Sequence, residues 1–376
     1  MKTWHRFRYR LDFVVASLGR RPGKTLSLLG VYTGVVALLA TVLLYSQGLK
    51  EIAARSLVAS PDIVVQRLEA GRHALIPASH LERLGRLRGV TRIEARLWGY
   101  HFDPAMGANA TVMAPAQESI APGSAHVGAT LARVRGLAAG DVLSLRGQDG
   151  QAHAFSIAGV LPANTELVSG DLLLVSPADY RALFAFPEGV YTDFALTVAN
   201  PAEVRGIARK IAERLPDSRP ILREEILRTY ESVYDWRQGL LLVVLSGALL
   251  AFLILAWDKA TGLSAEERRE IGILKAIGWD TGEILRMKLV EGGLVSLTAY
   301  GLGYALAHAY VFHADAPLFA SVMRGWSVLQ ADFTLPARTD PLLLGVLFLL
   351  SVVPYTVATL VPAWRAASVD PDSVLR

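Results

Sequence analysis

Four apolar stretches, 25–45, 239–257, about 289–312 and 342–361, each come close to or pass the roughly 20 residues an α-helix needs to cross a hydrocarbon core. None carries an acidic or basic side chain across its middle, and Glu291 sits near the entry of the third. A chain built on four such helices is a membrane protein, and its charged fraction of 19% is low for a soluble domain. Solute paths through transporters are marked by buried ionisable groups or broken helices. Beyond Pro354 these spans offer neither, which argues against passage of a solute through the four helices of one chain.

The basic flanks orient the spans. Lys2, Arg6, Arg8, Arg10, Arg20, Arg21 and Lys24 stand against Asp12 before the first span, and Lys259, Arg268, Arg269, Lys275, Arg286 and Lys288 crowd the loop after the second. Both places are read as cytoplasmic, with four spans returning the C-terminus to the same side. Residues 46–238 carry equal numbers of basic and acidic residues and are read as a translocated domain. Cysteine is absent, so that domain stands on core burial without disulfides.

The expected order is a cytoplasmic interfacial helix over 1–24, a span and stalk over 25–56, an α+β core domain over 57–223 and a second stalk and span over 224–257. A cytoplasmic coupling segment follows over 258–285, then a span over 286–312, a short outer segment over 313–340, the last span over 341–361 and a cytoplasmic tail over 362–376. Trp4, Phe7, Leu11, Val14, Val15 and Leu18 form one apolar stripe with Arg6, Arg10 and Arg20 opposite, the pattern of a helix on the inner leaflet rather than of a disordered basic tail. GRRPGKT from Gly19 to Thr25 has three residues, not four, before Gly-Lys-Thr, and a span follows it, so it is no P-loop.

Within the outer domain, strands are predicted over 62–66, 90–102, 111–114, 142–145, 155–161, 171–175 and 192–198. Helices are predicted from a Ser79 cap with Glu82 through Leu87, over 177–184 and 202–215, and from Glu224 into the second span. The domain is read as one α+β fold, or as two lobes. No nucleophile elbow, HExxH or paired acidic motif occurs, and His73, His80, His101, His126 and His153 lack ligand spacing, so neither a catalytic nor a metal site is assigned. Near the third span's outer end, His308 and His313 are five residues apart, which takes them off one helix face.

Two small-residue patterns suit close helix packing or a dimer seam: Gly30 with Gly34, and Ala299, Gly303 and Ala307. Ser296, Tyr300, Tyr304 and His308 beside the second row are placed to hydrogen-bond across a helix interface, and Trp326 and Phe333 to rest at the membrane surface. Pro362 is expected to break the last helix, with Asp370 and Pro371 capping one more short turn.

The clearest contact surface is SAEERREIGILKAIGWDTGEILRMKLV, from Ser264 to Val290. Ser264 with Glu267 is a capping-box start, Gly278 a stop, and Asp280 with Glu283 a second start for a helix that runs into the third span. Between the caps, Ile271, Leu274 and Ile277 recur at helical spacing among Glu266, Glu267, Arg268, Arg269, Glu270 and Lys275, with Gly272 inside the turn. A short charged helix with an apolar ridge, held between two spans, suits a groove on another protein.

EERREIGILKAIGWDTGEILRMKLVEG (Glu266 to Gly292) and PAWRAASVDPDSVLR (Pro362 to Arg376) closely resemble FtsX-like, MacB-type permeases of ATP-binding-cassette transporters. HVGATLARVRGLAAGDVLSL, from His126, is similar to part of that family's periplasmic core domain. The resemblance implies four transmembrane helices of the type VII kind with a large α+β extracytoplasmic domain between the first and second, in a bacterial inner membrane. It also implies mechanotransmission: a separate cytoplasmic ATPase, carrying the ATP and magnesium, seated on Glu266 to Gly278, and a second permease copy or paralogue, a homodimer being preferred. The chain itself would bind no cofactor and catalyse nothing. A fused ATPase is missing, as in lipoprotein-releasing and DevC-type systems. The substrate would be expelled or extracted from the periplasm or outer leaflet, with or without a membrane-fusion adaptor and outer-membrane channel. The other readings within the family are a signalling permease controlling a cell-wall hydrolase and an adaptor-independent heme or antimicrobial-peptide exporter.

Overall fold

The computed structural model describes residues 2–20, 22–58, 60–115, 120–261, 265–324, 328–329, 332, 335–338 and 340–368. Helices α1 (Lys2–Gly19) and α2 (Pro22–Ser56) come first. Strands β1 (Ile63–Glu69), β2 (Arg72–Ala74) and β3 (Ile76–Pro77) lead to helix α3 (Ser79–Leu84). Then follow β4 (Val90–Asp103), β5 (Ala108–Ala114), β6 (Ser124–Val127), α4 (Ala129–Arg135), β7 (Val142–Arg146) and β8 (Ala152–Val160). Next are α5 (Glu166–Ser169), β9 (Leu172–Val175), α6 (Pro177–Leu183), β10 (Val190–Tyr191), β11 (Asp193–Val198), α7 (Val204–Arg214) and β12 (Ser218–Leu222). The chain closes with α8 (Arg223–Thr261), α9 (Ala265–Ala276), α10 (Thr281–His313), α11 (Pro317–Arg324) and α12 (Pro341–Ser368).

Two compact units divide the chain. A helical unit takes Met1–Gly48, Asp235–Met323 and Leu335–Arg376, and a sheet unit takes Leu49–Tyr234 and Arg324–Thr334. Among the described residues four helices are long and apolar enough to cross a membrane: Thr25–Ser56, Arg223–Trp257, Thr281–His313 and Pro341–Trp364. Val243, Val244, Leu250 and Ile254 of α8 and Leu342 and Leu349 of α12 stand exposed in the chain, as side chains that face lipid do.

In the sheet unit, neighbouring strands run β12-β1-β11-β4-β5-β9-β6-β8-β7, with β2 added to β1. Strand β4 serves two lobes in turn. Its first half pairs with β11 as far as Arg96↔Asp193, and its second half pairs with β5 from Leu97↔Ala114 onward. The first lobe closes its core with Leu84 of α3 and Ile207 and Ile211 of α7 against Ile63, Val65, Phe194 and Leu196. In the second, Leu131 of α4 and Tyr180 and Leu183 of α6 cover Val112, Phe155, Ile157 and Leu173. The strict alternation of buried and exposed residues in β7 and in the middle of β8 follows from this one-sided cover.

A bidentate Arg96 guanidinium, at 2.6 and 2.7 Å, and the Trp98 indole N–H, at 2.8 Å, all donate to the fully buried Asp193 where β4 changes partners. Opposite Tyr180, Gly99 leaves room that a larger residue would fill, since a Cβ there would lie 3.0 Å from the Tyr180 hydroxyl.

Three local expectations are corrected. Ser79 is the first residue of α3 rather than its cap, because β3 pairs with β10 and the Ala78 amide donates to Gly189 O, which fixes the chain one residue before it. That helix stops at Leu84, not Leu87, at Gly85, whose φ of 54° and ψ of −157° belong to glycine alone. Pro362 does not break the last helix: α12 runs on to Ser368 with Pro354 and Pro362 inside it. Proline removes one amide and bends a helix without having to end it, and here Pro362 and Ala363 are held in buried positions. The turn expected at Asp370 and Pro371, and the placements of Trp326 and Phe333, fall outside the described residues.

Candidate coupling surface and helix seams

Helix α9 ends as its sequence requires. The Trp279 amide reaches back to Leu274 O at 3.0 Å and the Gly278 amide to Lys275 O at 2.9 Å, with Gly278 at a φ of 95°. This Schellman closure needs glycine at its left-handed position, and Trp279 completes it by packing beside Leu274. Asp280 then takes the N-cap place of α10 in extended conformation, but its side chain makes no cap bond, so the second capping box does not form. The corner is held from the α9 side.

The ridge divides. Ile271 packs with Ile284 and Trp279, and Leu274 with Val14 and Met287, with Phe13, Leu18, Val290 and Leu294 around them. The stripe of α1 therefore seats α9 and α10, with Val14 buried and Val15 exposed. Among the described residues, the large apolar side chains exposed at this corner are Ile273 of α9, 48% exposed, and Ile277 just past its end, 70% exposed, one helical turn apart. Gly272 is buried and Lys275 partly so, while Gly278 lies open. Ser264 and the side chains of Glu266, Glu267, Arg268, Arg269 and Glu270 lie outside the described residues, as do those of Trp4 and Phe7. Reading the sequence missed Ile273, because two rows of isoleucine at helical spacing are equivalent until the packing partner of one is known. Glu291, near the start of the third span, is paired with Lys288 at 2.7 Å.

The two small-residue patterns have different surroundings. Ala299, Gly303 and Ala307 are buried, and a Cβ on Gly303 would lie 2.7 Å from Val36 Cγ1 and 3.0 Å from Thr33 O, so α10 and α2 meet backbone to backbone there. Gly30 and Gly34 are exposed, with nothing within 4 Å of either. The Tyr300 hydroxyl donates to Leu344 O of α12 at 3.1 Å, whereas the Ser296 hydroxyl turns to Gly293 O of its own helix. Tyr32 of α2 stacks on Phe252 of α8 at 4.6 Å and on Tyr355 of α12 at 4.8 Å, and donates to Ser351 O at 2.8 Å, three residues before Pro354.

The histidines of the sheet unit engage locally. His73 meets Thr192 O at 3.0 Å, His101 meets Arg146 O at 2.8 Å, and His80 meets Asp217 at 3.1 Å. Burial pushes the Asp217 carboxyl up, but the His80 and Arg67 hydrogen bonds outweigh it and hold Asp217 below the usual carboxylate range. Burial alone carries the Tyr180 phenol up to about 12, leaving it neutral. Among the described residues no three His, Cys, Asp or Glu side chains come together as a metal site. The arrangement offers a corner with an exposed apolar pair, and helix seams.

Residues 239–371 match the family described as FtsX-like permease C-terminal. Among curated proteins, the lipoprotein-releasing system transmembrane protein LolC of Xylella fastidiosa (strain 9a5c) is 25% identical over 392 aligned positions, covering 93% of this chain and 92% of the relative.

Proposed function

We propose that this chain, an FtsX-like permease of the ABC type, couples ATP hydrolysed by a separate cytoplasmic ATPase to movement of its sheet unit. Four apolar helices with a large sheet-containing domain between the first and second are consistent with the type VII permease fold. The observation that carries the reading is the α9 corner. It is fastened inward by Ile271 and Leu274, closed by Gly278, followed directly by a helix of 33 residues, and left with Ile273 and Ile277 facing out. An apolar pair on a short helix fits a groove on a partner. Helices α2 and α8, of 35 and 39 residues, run without a break from the helical unit into the sheet unit and are the natural levers.

The chain supplies no catalysis and holds no cofactor of its own; ATP and magnesium belong to the partner. Both termini and α9 face the cytoplasm. The open Gly30 and Gly34 face supports pairing with a second copy. The likeness to a lipoprotein-releasing protein favours an amphiphilic, membrane-held substrate taken from the outer leaflet, over signalling to a hydrolase.

The test is a mild-detergent pull-down with mass spectrometry, on the native chain and on Ile277→Asp. A soluble ATPase recovered with the native chain and lost with Ile277→Asp supports the reading. Recovery of no ATPase by a folded chain, or equal recovery by both, refutes it.

A further inference from the structure

Helix α5 begins at Glu166, only 2% exposed, in a pocket that glycine makes possible. A Cβ on Gly128 would lie 2.1 Å from Ser169 O, and one on Gly170 2.5 Å from Thr130 Oγ1, so α4 and α5 approach closer than any side chain would permit. Three donors converge there on a single oxygen, Glu166 Oε1: the Thr130 hydroxyl at 2.6 Å, the Arg133 guanidinium at 2.8 Å and the Asp332 amide at 3.1 Å. The third comes from the connection between α11 and α12, more than 160 residues away. Three residues before it, Leu329 packs against the core of the second lobe.

We infer that Glu166 is the seat of a releasable strap, which fastens the connection between the last two spans to the second lobe. The seat is separable because Thr130 and Arg133 belong to α4. When the strap lifts, the carboxylate keeps both, and what it gives up is the Asp332 amide, along with the seat of Leu329 against the lobe. No buried charge is left unpaired, so the lobe has no need to unfold.

The strap's place in the chain gives it a purpose, which rests on the proposed coupling, although its geometry does not. Helix α10 starts at the α9 corner, and the chain passes from its far end through α11 to Leu329 and Asp332. A pull on α10 thus has a route to the second lobe that involves neither α2 nor α8. The strap makes that route an on-off contact.

Hydrogen exchange read by mass spectrometry on the full chain in nanodiscs tests this. A peptide containing Leu329 and Asp332 is expected to exchange about tenfold slower than an unstructured control and at least a hundredfold faster than a peptide from β5. Leu329→Ala should remove the strap's protection, and Glu166→Gln, whose amide oxygen still accepts but carries no charge, should weaken it, both while leaving β5 unchanged. Strap exchange equal in the native chain and both variants would overturn the inference, as would loss of protection in the strap and β5 together. With the ATPase bound, ATP should speed strap exchange. ATP effects elsewhere in the sheet unit but not in the strap would overturn its switching role, and ATP effects nowhere would overturn the coupling reading instead.

Discussion

Gly303→Ala tests the close approach of α2 and α10. The new Cβ would stand 2.7 Å from Val36 Cγ1, 2.8 Å from Val36 Cβ and 3.0 Å from the Thr33 carbonyl oxygen. Carbon atoms in contact rest about 3.5–4.0 Å apart, so α2 and α10 must part by roughly 1 Å. Val36 has no escape, because a β-branched side chain in a helix holds one rotamer and the Cβ contact survives any rotamer. Overpacking of this kind costs about 1–3 kcal/mol, and the stiffness of Val36 puts the expectation at about 2–3 kcal/mol. Gly301→Ala is the control. It lies on the same helix, has nothing within 4 Å, and gains the same helix propensity, so that gain cancels in the comparison. Unfolding by sodium dodecyl sulfate in mixed micelles, followed by far-ultraviolet circular dichroism, should place Gly303→Ala well below Gly301→Ala. Equal midpoints for the two variants would refute the seam.

Asp193→Ala leaves Arg96 and Trp98 without their acceptor at the lobe junction and should cost about 3–5 kcal/mol, read as faster pulse proteolysis of the sheet unit in the full chain. Because the folded pKa of Asp217 lies below its unfolded value, its contribution is complete above the unfolded value of about 3.9 and is lost as pH falls through the folded one. Protection of β12, next to Asp217, taken relative to the intrinsic exchange rate at each pH, should therefore fall at pH 3 in the native chain more than in Asp217→Asn. Gly278→Val forces a β-branched residue to a φ of 95° and should loosen the α9 corner by about 1–2 kcal/mol. A spin label on Ala276→Cys, in a chain with no other cysteine, should then become more mobile.

The parts of the fold that declare themselves in sequence are those with a long period. The four spans are visible as apolar runs, and β4 and α7 as sustained alternation or helical repeat. Strand β6 (Ser124–Val127), β12 (Ser218–Leu222), α5 (Glu166–Ser169) and α11 (Pro317–Arg324) were not legible. β6 is made a strand by its neighbours: it pairs parallel with β8 and antiparallel with β9. Its pattern of His126 and Ser124 against Ala125 and Val127 takes meaning only once that core exists. Glu166 was hidden for the same reason, because nothing around it in sequence announces the Asp332 amide, which arrives from beyond two further spans.

The proposed coupling surface and the seams fail to be legible in a different way: the pattern is plain and its direction is not. Ile271 and Leu274 share one face of α9, Ile273 and Ile277 another, and helical spacing ranks them equally. Val14, brought in on α1 from more than 250 residues earlier, turns Leu274 inward, and Ile284 and Trp279 turn Ile271 inward. Gly30 with Gly34 and Ala299 with Gly303 are likewise the same small-xxx-small device. Val36 fills the space across from Gly303 and nothing lies within 4 Å of Gly30, so one device is consumed within the chain and the other stays open. In a membrane this difference carries more weight than it would in water. Lipid is as apolar as the side chains, so burial does not sort the faces, and close approach of backbones does. The surfaces a chain of this kind offers to others are those its own helices fail to reach, and they are found by subtracting the internal contacts from the pattern.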